Sequence, residues 1–268
     1  MKIKTFTVDS FTNKPFKWNP AWVCLLENEI DTEIMQSIAT ELNLSETAFI
    51  KQINDDTFSI RYFTPTIEID FCWHATLASS KVIFKVFNKK SINLITYKKL
   101  ELESKSDDED IIMKFPLYEN IEYKASKELY DAFEIDKPIS TRFSEDLKII
   151  MIEIKDKETL LKIKPDFLNA VKIVENINAI IVTTKSSDNN YDFYSRCFYP
   201  WVWIDEDPVT GSSHCILAKY WSDILWKKEL NAYQLSKRWG FMNLKIISNN
   251  ELEVKSNAKI IFEWYIGI

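Results

Sequence analysis

The sequence contains very little glycine and histidine, and it has no long apolar run. Only 3 of its 268 residues are glycine and 2 are histidine, whereas average usage of about 7% glycine would give roughly 19 in a chain of this length. No apolar run approaches the roughly 18 residues of a membrane-spanning helix. The N-terminal segment alternates like a strand and lacks the apolar centre of a signal peptide. We therefore expect a cytoplasmic protein without membrane contacts.

Cysteine is also scarce, and its spacing is not that of a metal-binding motif. The four cysteines form no C-x-x-C pair, which indicates reduced thiols in a cytosolic chain. With two histidines and no cysteine cluster, we expect no metal site. The net charge is -6 and the lysines are spread along the chain, so the sequence lacks the basic patch of a nucleic-acid-binding protein.

Two segments of the chain follow the same plan. Residues 63–84 and 198–221 each place an aromatic residue two positions before a proline, then a short loop, then a helix with a histidine in its first turn. Strand-like alternation surrounds both segments, and after Pro116 the plan begins again. Chance similarity is the alternative. Our interpretation is a duplicated α+β domain, with one half over residues 1–116, joined by a last strand at 259–268, and the other over 117–258.

The pattern predicts individual elements for this plan. Strands are expected in alternating segments and helices where apolar residues recur at helical spacing. The predicted helices are 31–42, 74–87, 127–133, 158–171 and 212–228. The predicted strands include 2–8, 20–26, 57–63, 92–97, 99–103, 111–115, 148–154, 179–184, 193–198, 232–236, 243–247, 252–255 and 259–266, and the charged run 104–110 is expected to be a turn.

Candidate site residues lie at the starts of the two long helices and before one strand. Helix N-termini hold anions, so the helices beginning near His74 and Ser212 could bind a carboxylate-bearing small molecule in one cleft. Asp207 lies in the loop before the second helix. Glu46, in "LSETAFI", is expected to be partly buried, and burial would raise its pKa toward neutrality, as suits a general acid or base.

Each of these residues also has a purely structural interpretation. Glu46 could be an ordinary turn residue, and His74 a satisfied core or capping histidine. Asp207 could be a turn residue before a proline. Cys72 could be a small buried apolar residue, and we interpret His214 as structural.

Several motifs resemble, in order, those of the PhzF-like phenazine-biosynthesis family. They are "NPAWVCLL", "LSETAFI", "IRYFTP", "CWHATLA", "RCFYP", "DEDPVTGSSHCILAKYW" and "QLSKRWG", and they extend from residue 19 to 240. The resemblance implies a diaminopimelate-epimerase-like α+β fold of two pseudo-symmetric domains, each a β-barrel-like sheet around a central helix, with the active site in the cleft. It also implies an isomerase without metal or cofactor, and dimers are typical of relatives.

The resemblance implies roles for particular residues. Glu46 would move a proton along a small carboxylate substrate similar to dihydro-hydroxyanthranilate, and His74 would orient and polarise it. Asp207 and Ser212 would hold its polar groups, and backbone N–H groups at Trp73 and at Gly211–Ser212 would bind its carboxylate. A non-catalytic binding protein is the main alternative. A racemase is weaker, because Thr210 lies near where the second catalytic thiol of the two-cysteine epimerases would stand.

Tryptophan replaces glycine in the motifs that carry this resemblance. Where the family looks like "G-N-P-A", "C-G-H-A-T" and "R-G-G", this chain has Trp18, Trp73 and Trp239. Trp203 and Trp226 also fall where we expect glycine, and Trp22 and Trp264 are further candidates, whereas Trp201 and Trp221 are at expected tryptophan positions. One hypothesis is that the source reads the codon UGA as glycine. The alternative is a paralogue whose cleft is filled by genuine tryptophan.

Overall fold

The computed structural model describes residues 1–16, 19–202 and 204–268. The chain forms two compact units, residues 1–115 with 253–268 and residues 116–252. Both combine a sheet with few helices, which confirms the predicted α+β class. No helix within the described ranges combines the length and the apolar character needed to span a bilayer.

The first unit is a closed barrel of eight strands. Their order around the barrel is β1, β2, β3, β4, β6, β7, β8 and β16, and β16 pairs in turn with β1 from Lys2↔Gly267 to Ser10↔Ala258. The strands are β1 (Lys2–Ser10), β2 (Asn19–Leu26), β3 (Thr47–Gln52), β4 (Thr57–Phe63), the short β5 (Glu68–Ile69) paired with β4, β6 (Ser91–Thr96), β7 (Glu101–Asp107), β8 (Asp110–Pro116) and β16 (Glu251–Gly267).

Two helices accompany this barrel. Helix α2 (Trp73–Phe87) packs against β1, β2 and β3 and is buried at every residue from Trp73 to Ser80. Its first turns carry only apolar or small polar side chains besides His74, and a helix that is apolar on all sides belongs in a core. Helix α1 (Thr32–Leu42) buries only Met35, Ile38 and Ala39. The barrel therefore fixes the start of α2 far more firmly than that of α1.

The second unit is a seven-stranded sheet. Its order is β9 (Ile121–Glu122), β10 (Ser140–Ser144), β11 (Ile149–Glu153), β12 (Ala179–Lys185), β13 (Phe193–Phe198), β14 (Glu229–Gln234) and β15 (Gly240–Ser248), read from β9 to β15. Its helices are α3 (Lys127–Ala132), α4 (Lys157–Lys162), α5 (Phe167–Ile173) and α6 (His214–Leu225), with a 3₁₀ turn at Pro200–Val202.

The same sequence of strand pairings occurs in both units. In the first, β2–β3 and β4–β6 are parallel and β3–β4 is antiparallel. In the second, β11–β12 and β13–β14 are parallel and β12–β13 is antiparallel. Parallel neighbours require a crossover connection, and the long helices α2 and α6 supply the second crossover in their respective units. The prediction of two similar halves is confirmed.

Three predicted elements are wrong in detail. The helix expected over 158–171 is two helices, because Pro165 interrupts the ladder and Asp166 caps the second by accepting from the N–H of Asn169. The expected turn 104–110 is strand as far as Asp107. The separate strands 252–255 and 259–266 are one strand, β16, because Asn257 stays extended and donates to the carbonyl of Glu109.

Candidate active site

The barrel places Glu46 at the start of β3. Helix α1 ends at Asn43, which adopts the left-handed conformation with φ 48° and donates its N–H to the carbonyl of Ala39. Four residues later the chain enters β3 at Thr47, and the carbonyl of Glu46, directly before the strand, accepts a hydrogen bond from the N–H of Trp22 on β2. The parallel β2–β3 pair therefore fixes the backbone of Glu46 directly at the strand end.

The first turn of α2 places His74. Cys72 is the N-cap residue, with φ -146° and ψ 122°. The hydroxyl of Thr76 donates to the carbonyl of Cys72 at 2.6 Å and shares a 2.7 Å hydrogen bond with the Tyr62 hydroxyl. The hydroxyl of Ser10 donates to the carbonyl of His74 at 2.7 Å. These buried contacts join α2 to β1 and β4, so the imidazole projects from a rigid base.

Glu46 and His74 form a buried charge pair. Oε2 of Glu46 lies 2.7 Å from Nε2 of His74, and the two side chains are 13% and 9% exposed. The two atoms are not aligned as a linear hydrogen bond, since Oε2 has no partner of hydrogen-bond geometry. Cys72 adds a third group, with Sγ 3.4 Å from Nδ1 of His74. Few waters can reach this pair to screen it.

The electrostatics of the pair reverse our expectation for Glu46. Burial raises the pKa of Glu46, but the charge of His74, with the hydroxyl of Ser45, outweighs burial and holds the pKa below its ordinary value. The prediction of a raised pKa is therefore wrong, because it considered burial without a cationic partner. Glu46 is therefore ionised in the resting site and is not a proton donor there.

His74 is protonated for the complementary reason. Burial lowers its pKa, but Cys72 when ionised, the carboxylate of Glu46 and the hydrogen bonds to both raise it well above the ordinary value. Burial and the nearby carboxylate raise the pKa of the Cys72 thiol, so this thiol is neutral at pH 7 and the negative charge facing His74 is that of Glu46. The resting site is thus an imidazolium beside a carboxylate.

The same three residues are of metal-ligating types. One ligand atom from each of Glu46, Cys72 and His74 lies within 4.8 Å of the others. The sequence argument against a metal site counted few histidines and cysteines, and it did not foresee that the fold would bring one of each beside a carboxylate. The 2.7 Å contact is, however, a distance suited to proton sharing.

Trp73 is the first residue of α2 and stands in the sequence between Cys72 and His74. It is 7% exposed. Its indole stacks on the ring of Phe115, with centroids 3.3 Å apart and an interplanar angle of 19°, and it meets Phe71 edge-on. Its backbone belongs to the first turn of the helix, where N–H groups have no intrahelical acceptor. The indole is therefore packed against Phe71 and Phe115, on the residue that directly precedes His74.

In the second unit, Asp207 belongs to a loop held by side chains of two other segments. Its carboxylate accepts a 2.6 Å hydrogen bond from the hydroxyl of Thr210. The amide of Gln234 bridges the loop, because its Nε2 donates to the carbonyl of Asp207 and its Oε1 accepts from the N–H of Thr210. The hydroxyl of Ser236 donates to the carbonyl of Pro208. The loop is thus fixed before α6 begins.

Gly211 and Ser212 connect this loop to α6. The hydroxyl of half-buried Ser212 lies 3.4 Å from that of Tyr199, and the carbonyl of Gly211 accepts from the N–H of His214. His214 is fully buried, with Nδ1 2.7 Å from the carbonyl of Thr210. This contact requires Nδ1 to donate, and burial lowers the pKa of His214 to about 4, so the histidine is neutral at pH 7, which agrees with its structural interpretation.

The structure brings the predicted residues together in two clusters, one in each unit. Glu46, His74 and Trp73 lie together in the first, and Asp207, Gly211 and Ser212 in the second. Sequence reasoning assigned no role to Gln234, although it quoted the motif "QLSKRWG" that contains it. A glutamine at the start of a motif that ends in a turn was the available signal. The contact between Cys72 and His74 was also missed.

The comparisons with known proteins identify the family. The family model described as "Phenazine biosynthesis-like protein" matches residues 8–262. The "Phenazine biosynthesis-like domain-containing protein 2" of Mus musculus is 36% identical over 284 residues, with 98% of each chain covered. An "Uncharacterized isomerase" of Halalkalibacterium halodurans is 41% identical over 251 residues, with 92% of each covered. The chain belongs to the phenazine biosynthesis-like family.

A solved structure gives the same result for the fold. The crystal structure of a PhzF-family phenazine biosynthesis protein of Enterococcus faecalis superposes with a TM-score of 0.92 at 33% identity, and 100% of each chain is covered. The resemblance noted in the sequence is therefore confirmed over essentially the whole chain.

Proposed function

We propose that the chain is a cofactor-independent isomerase in which Glu46 transfers a proton between two positions of a small carboxylate substrate. The observation that carries the proposal is the buried pair in which Oε2 of Glu46 lies 2.7 Å from Nε2 of His74. Relatives named as isomerases, from Halalkalibacterium halodurans and Pseudomonas aeruginosa, support an isomerase class.

The charges assign the first step to the carboxylate. Glu46 is ionised at rest, so it accepts a proton from a substrate carbon; a C–H bond breaks, an O–H bond forms and the electron pair moves into the substrate's π system. A carboxylate of lowered pKa is a weak base, so the C–H must be acidified. His74, as an imidazolium, can donate a hydrogen bond to a substrate oxygen and stabilise the charge that develops there.

The second step returns the same proton to a different carbon. Protonated Glu46 is then an acid whose conjugate base is stabilised by His74, which favours release of the proton. Substrate and product have the same atoms and oxidation state, so the step needs no oxidant or reductant. A dihydro-hydroxyanthranilate or a similar unsaturated carboxylate fits this chemistry, since its ring can carry the displaced electron pair.

For the remaining residues we propose roles in binding. Backbone N–H groups at Trp73 in the first unit, and separately at Gly211 and Ser212 in the second, would each be suited to bind a carboxylate, since unpaired amides before or in a first helical turn attract anions. Asp207 would accept hydrogen bonds from substrate hydroxyl or amino groups. Its carboxylate already accepts from Thr210, so it is held in one orientation.

A non-catalytic binding protein is the second candidate. The observation that favours it is the buried Trp73 indole, which stacks on Phe115 from the residue directly before His74. In that case a carboxylate ligand binds and no C–H bond exchanges with solvent.

Solvent isotope exchange separates the two candidates. The protein is incubated in D₂O with a dihydro-hydroxyanthranilate and with simpler unsaturated carboxylates, and deuterium uptake at carbon is measured by mass spectrometry. We expect uptake with the parent protein and a loss of about 10²–10⁴-fold in Glu46→Gln. Glu41→Gln, an exposed glutamate on α1, is the matched control. Binding without uptake supports the second candidate, and uptake unchanged in Glu46→Gln contradicts the role of Glu46.

A further inference from the structure

The residue that ends α6 has a conformation that suits glycine and not tryptophan. Trp226 follows the last helical residue with φ 56° and ψ 39°, and its N–H donates to the carbonyl of Ser222. This is the left-handed C-cap position at which glycine is the usual residue. For a bulky side chain a positive φ is a genuine outlier. The backbone at 226 therefore indicates a residue without Cβ.

The side chain of Trp226 contributes nothing that would offset this conformation. It is 93% exposed. Among the described residues it has no hydrogen bond or ring contact, in contrast to Trp221 five residues earlier. Trp221 is fully buried, donates from Nε1 to the hydroxyl of Thr183 and stacks on Phe193. Helix α6 thus contains one tryptophan that is held by side-chain contacts, and it is followed by a second, Trp226, whose side chain makes no such contact within the described part of the chain.

Trp239 repeats the backbone signal. Its φ is 42°, and its N–H donates to the carbonyl and the hydroxyl of Ser236, closing a tight turn immediately before β15. Its ring stacks on Tyr233 with centroids 5.8 Å apart, so here only the backbone argues for glycine. Trp201 again provides the contrast, because it has no positive φ and donates from Nε1 to the carbonyl of Val174.

The distribution of glycine points the same way. In the described part of the chain none of the three glycines has a positive φ, whereas eleven other residues do, four of them asparagine or aspartate and five of them Phe, Lys or Glu. Two of those eleven are tryptophans, although only seven tryptophans lie in the described part of the chain. Asparagine and aspartate tolerate this conformation; tryptophan has no such property. A single change in how one codon is read would replace glycine by tryptophan at many sites at once.

We infer that positions 226 and 239 are glycine in the protein made by its source cell, and that UGA is a glycine codon there. Trp201 and Trp221 are then genuine, encoded by UGG. Trp18 and Trp203, which the motifs also mark as glycine sites, lie outside the described residues. For Trp73 the inference deepens the proposed function and rests on it: glycine at 73 would remove the indole that stacks on Phe115 and would let a carboxylate approach the backbone amide at 73 more closely.

Two measurements on the natural gene and protein test the inference. We expect UGA at codons 226, 239 and 73 and UGG at 201 and 221, and we expect peptides from source cells to carry glycine at the first three positions and tryptophan at the last two. UGG at 226 and 239, or tryptophan in the natural peptides there, overturns it. Position 221 is the internal control, since both outcomes require tryptophan there.

A test in an ordinary expression host uses three variants. Trp226→Gly should raise the melting temperature by about 2–4 °C, because it relieves the left-handed conformation. Trp226→Ala should not, because Cβ remains; it controls for simple removal of an exposed ring. Trp221→Gly should lower the melting temperature. An equal effect of glycine and alanine at 226 contradicts the conformational argument.

The proposed function fails separately from this inference. Glycine at 226 and 239 in natural peptides, together with no isotope exchange by Trp73→Gly, would retain the recoding and reject the isomerase. Tryptophan in those peptides, together with isotope exchange by the parent protein, would reject the recoding and retain the isomerase.

Discussion

The two histidines of the chain occupy similar places in the two units, but one is protonated and the other is neutral. His74 and His214 each lie in the first turn of the long crossover helix of their unit. His74 faces the Glu46 carboxylate, and its pKa is raised well above the ordinary value. Burial lowers the pKa of His214 to about 4, and its Nδ1 donates to a backbone carbonyl. The partner atoms, and not the place in the fold, decide the role of the residue.

The difference shows why, among the described residues, only the histidine of the first unit is paired with a carboxylate. Nε2 of His214 is buried and has no hydrogen-bond partner among the described residues, so protonating it would bury an unpaired cation. A helix N-terminus also disfavours a positive charge. For His74 the negative charge of the Glu46 carboxylate outweighs both effects, so the first unit holds the protonated histidine.

The largest expected effect comes from replacing each histidine in turn. His74→Gln keeps a neutral donor near the place of Nε2 but removes the charge, so isotope exchange should fall by about 10²–10³-fold. His214→Asn keeps the donor to Thr210 and should leave exchange within a few-fold of the parent. Exchange rates measured at saturating substrate check both. Equal losses in the two variants would remove the functional distinction between the halves.

The sequence predicted the fold better than the electrostatics of the candidate residues. Alternating strands and the repeated helix plan are local signals. Both are confirmed in the barrel of the first unit and in the sheet of the second. The pKa of Glu46 could not be predicted, because it depends on an imidazole 28 residues away that only the β3–α2 packing brings to 2.7 Å. The break at Pro165 was readable from the sequence and was missed.

The next effect is on the pH dependence of stability. The contributions of the two histidines to the free energy of unfolding should change with pH in opposite directions. The pKa of His214 is about 4 when folded and near 6.5 when unfolded, so the unfolded state binds the extra proton as the pH falls. Its contribution is constant above pH 6.5 and is lost progressively down to pH 4, by about 3 kcal/mol. The pKa of His74 is raised, so its contribution is present below pH 6.5 and is lost as the pH rises through its folded pKa.

Denaturant titrations between pH 4 and pH 9 check these signs. The free energy of unfolding of His214→Asn should vary less between pH 6.5 and 4 than that of the parent. His74→Gln should vary less on the alkaline side. A variant of His214 with the parent's acid dependence would show that another group is responsible.

A smaller effect should follow when His74 loses its carboxylate partner. In Glu46→Gln the coulombic contribution that raises the pKa of His74 disappears while burial continues to lower it, so its pKa should fall toward that of His214. Titration of the imidazole resonances by NMR measures both residues in one experiment, and His214 is the unchanged control. A pKa of His74 that stays raised would mean that Cys72 supplies the negative charge.

The smallest expected effect is that of a chelator, which should leave activity unchanged. Ligands of a tetrahedral zinc ion at 2.0–2.2 Å lie about 3.3 Å apart, so an ion would have to separate Glu46 from His74, whose atoms are 2.7 Å apart. It would also have to displace the proton that the carboxylate stabilises on His74. Exchange rates before and after dialysis against EDTA test this, with His214→Asn treated in parallel. Activity lost on dialysis and restored by Zn²⁺ would make Glu46, Cys72 and His74 metal ligands, and the contrast between the two histidines would then be one of coordination and not of proton transfer.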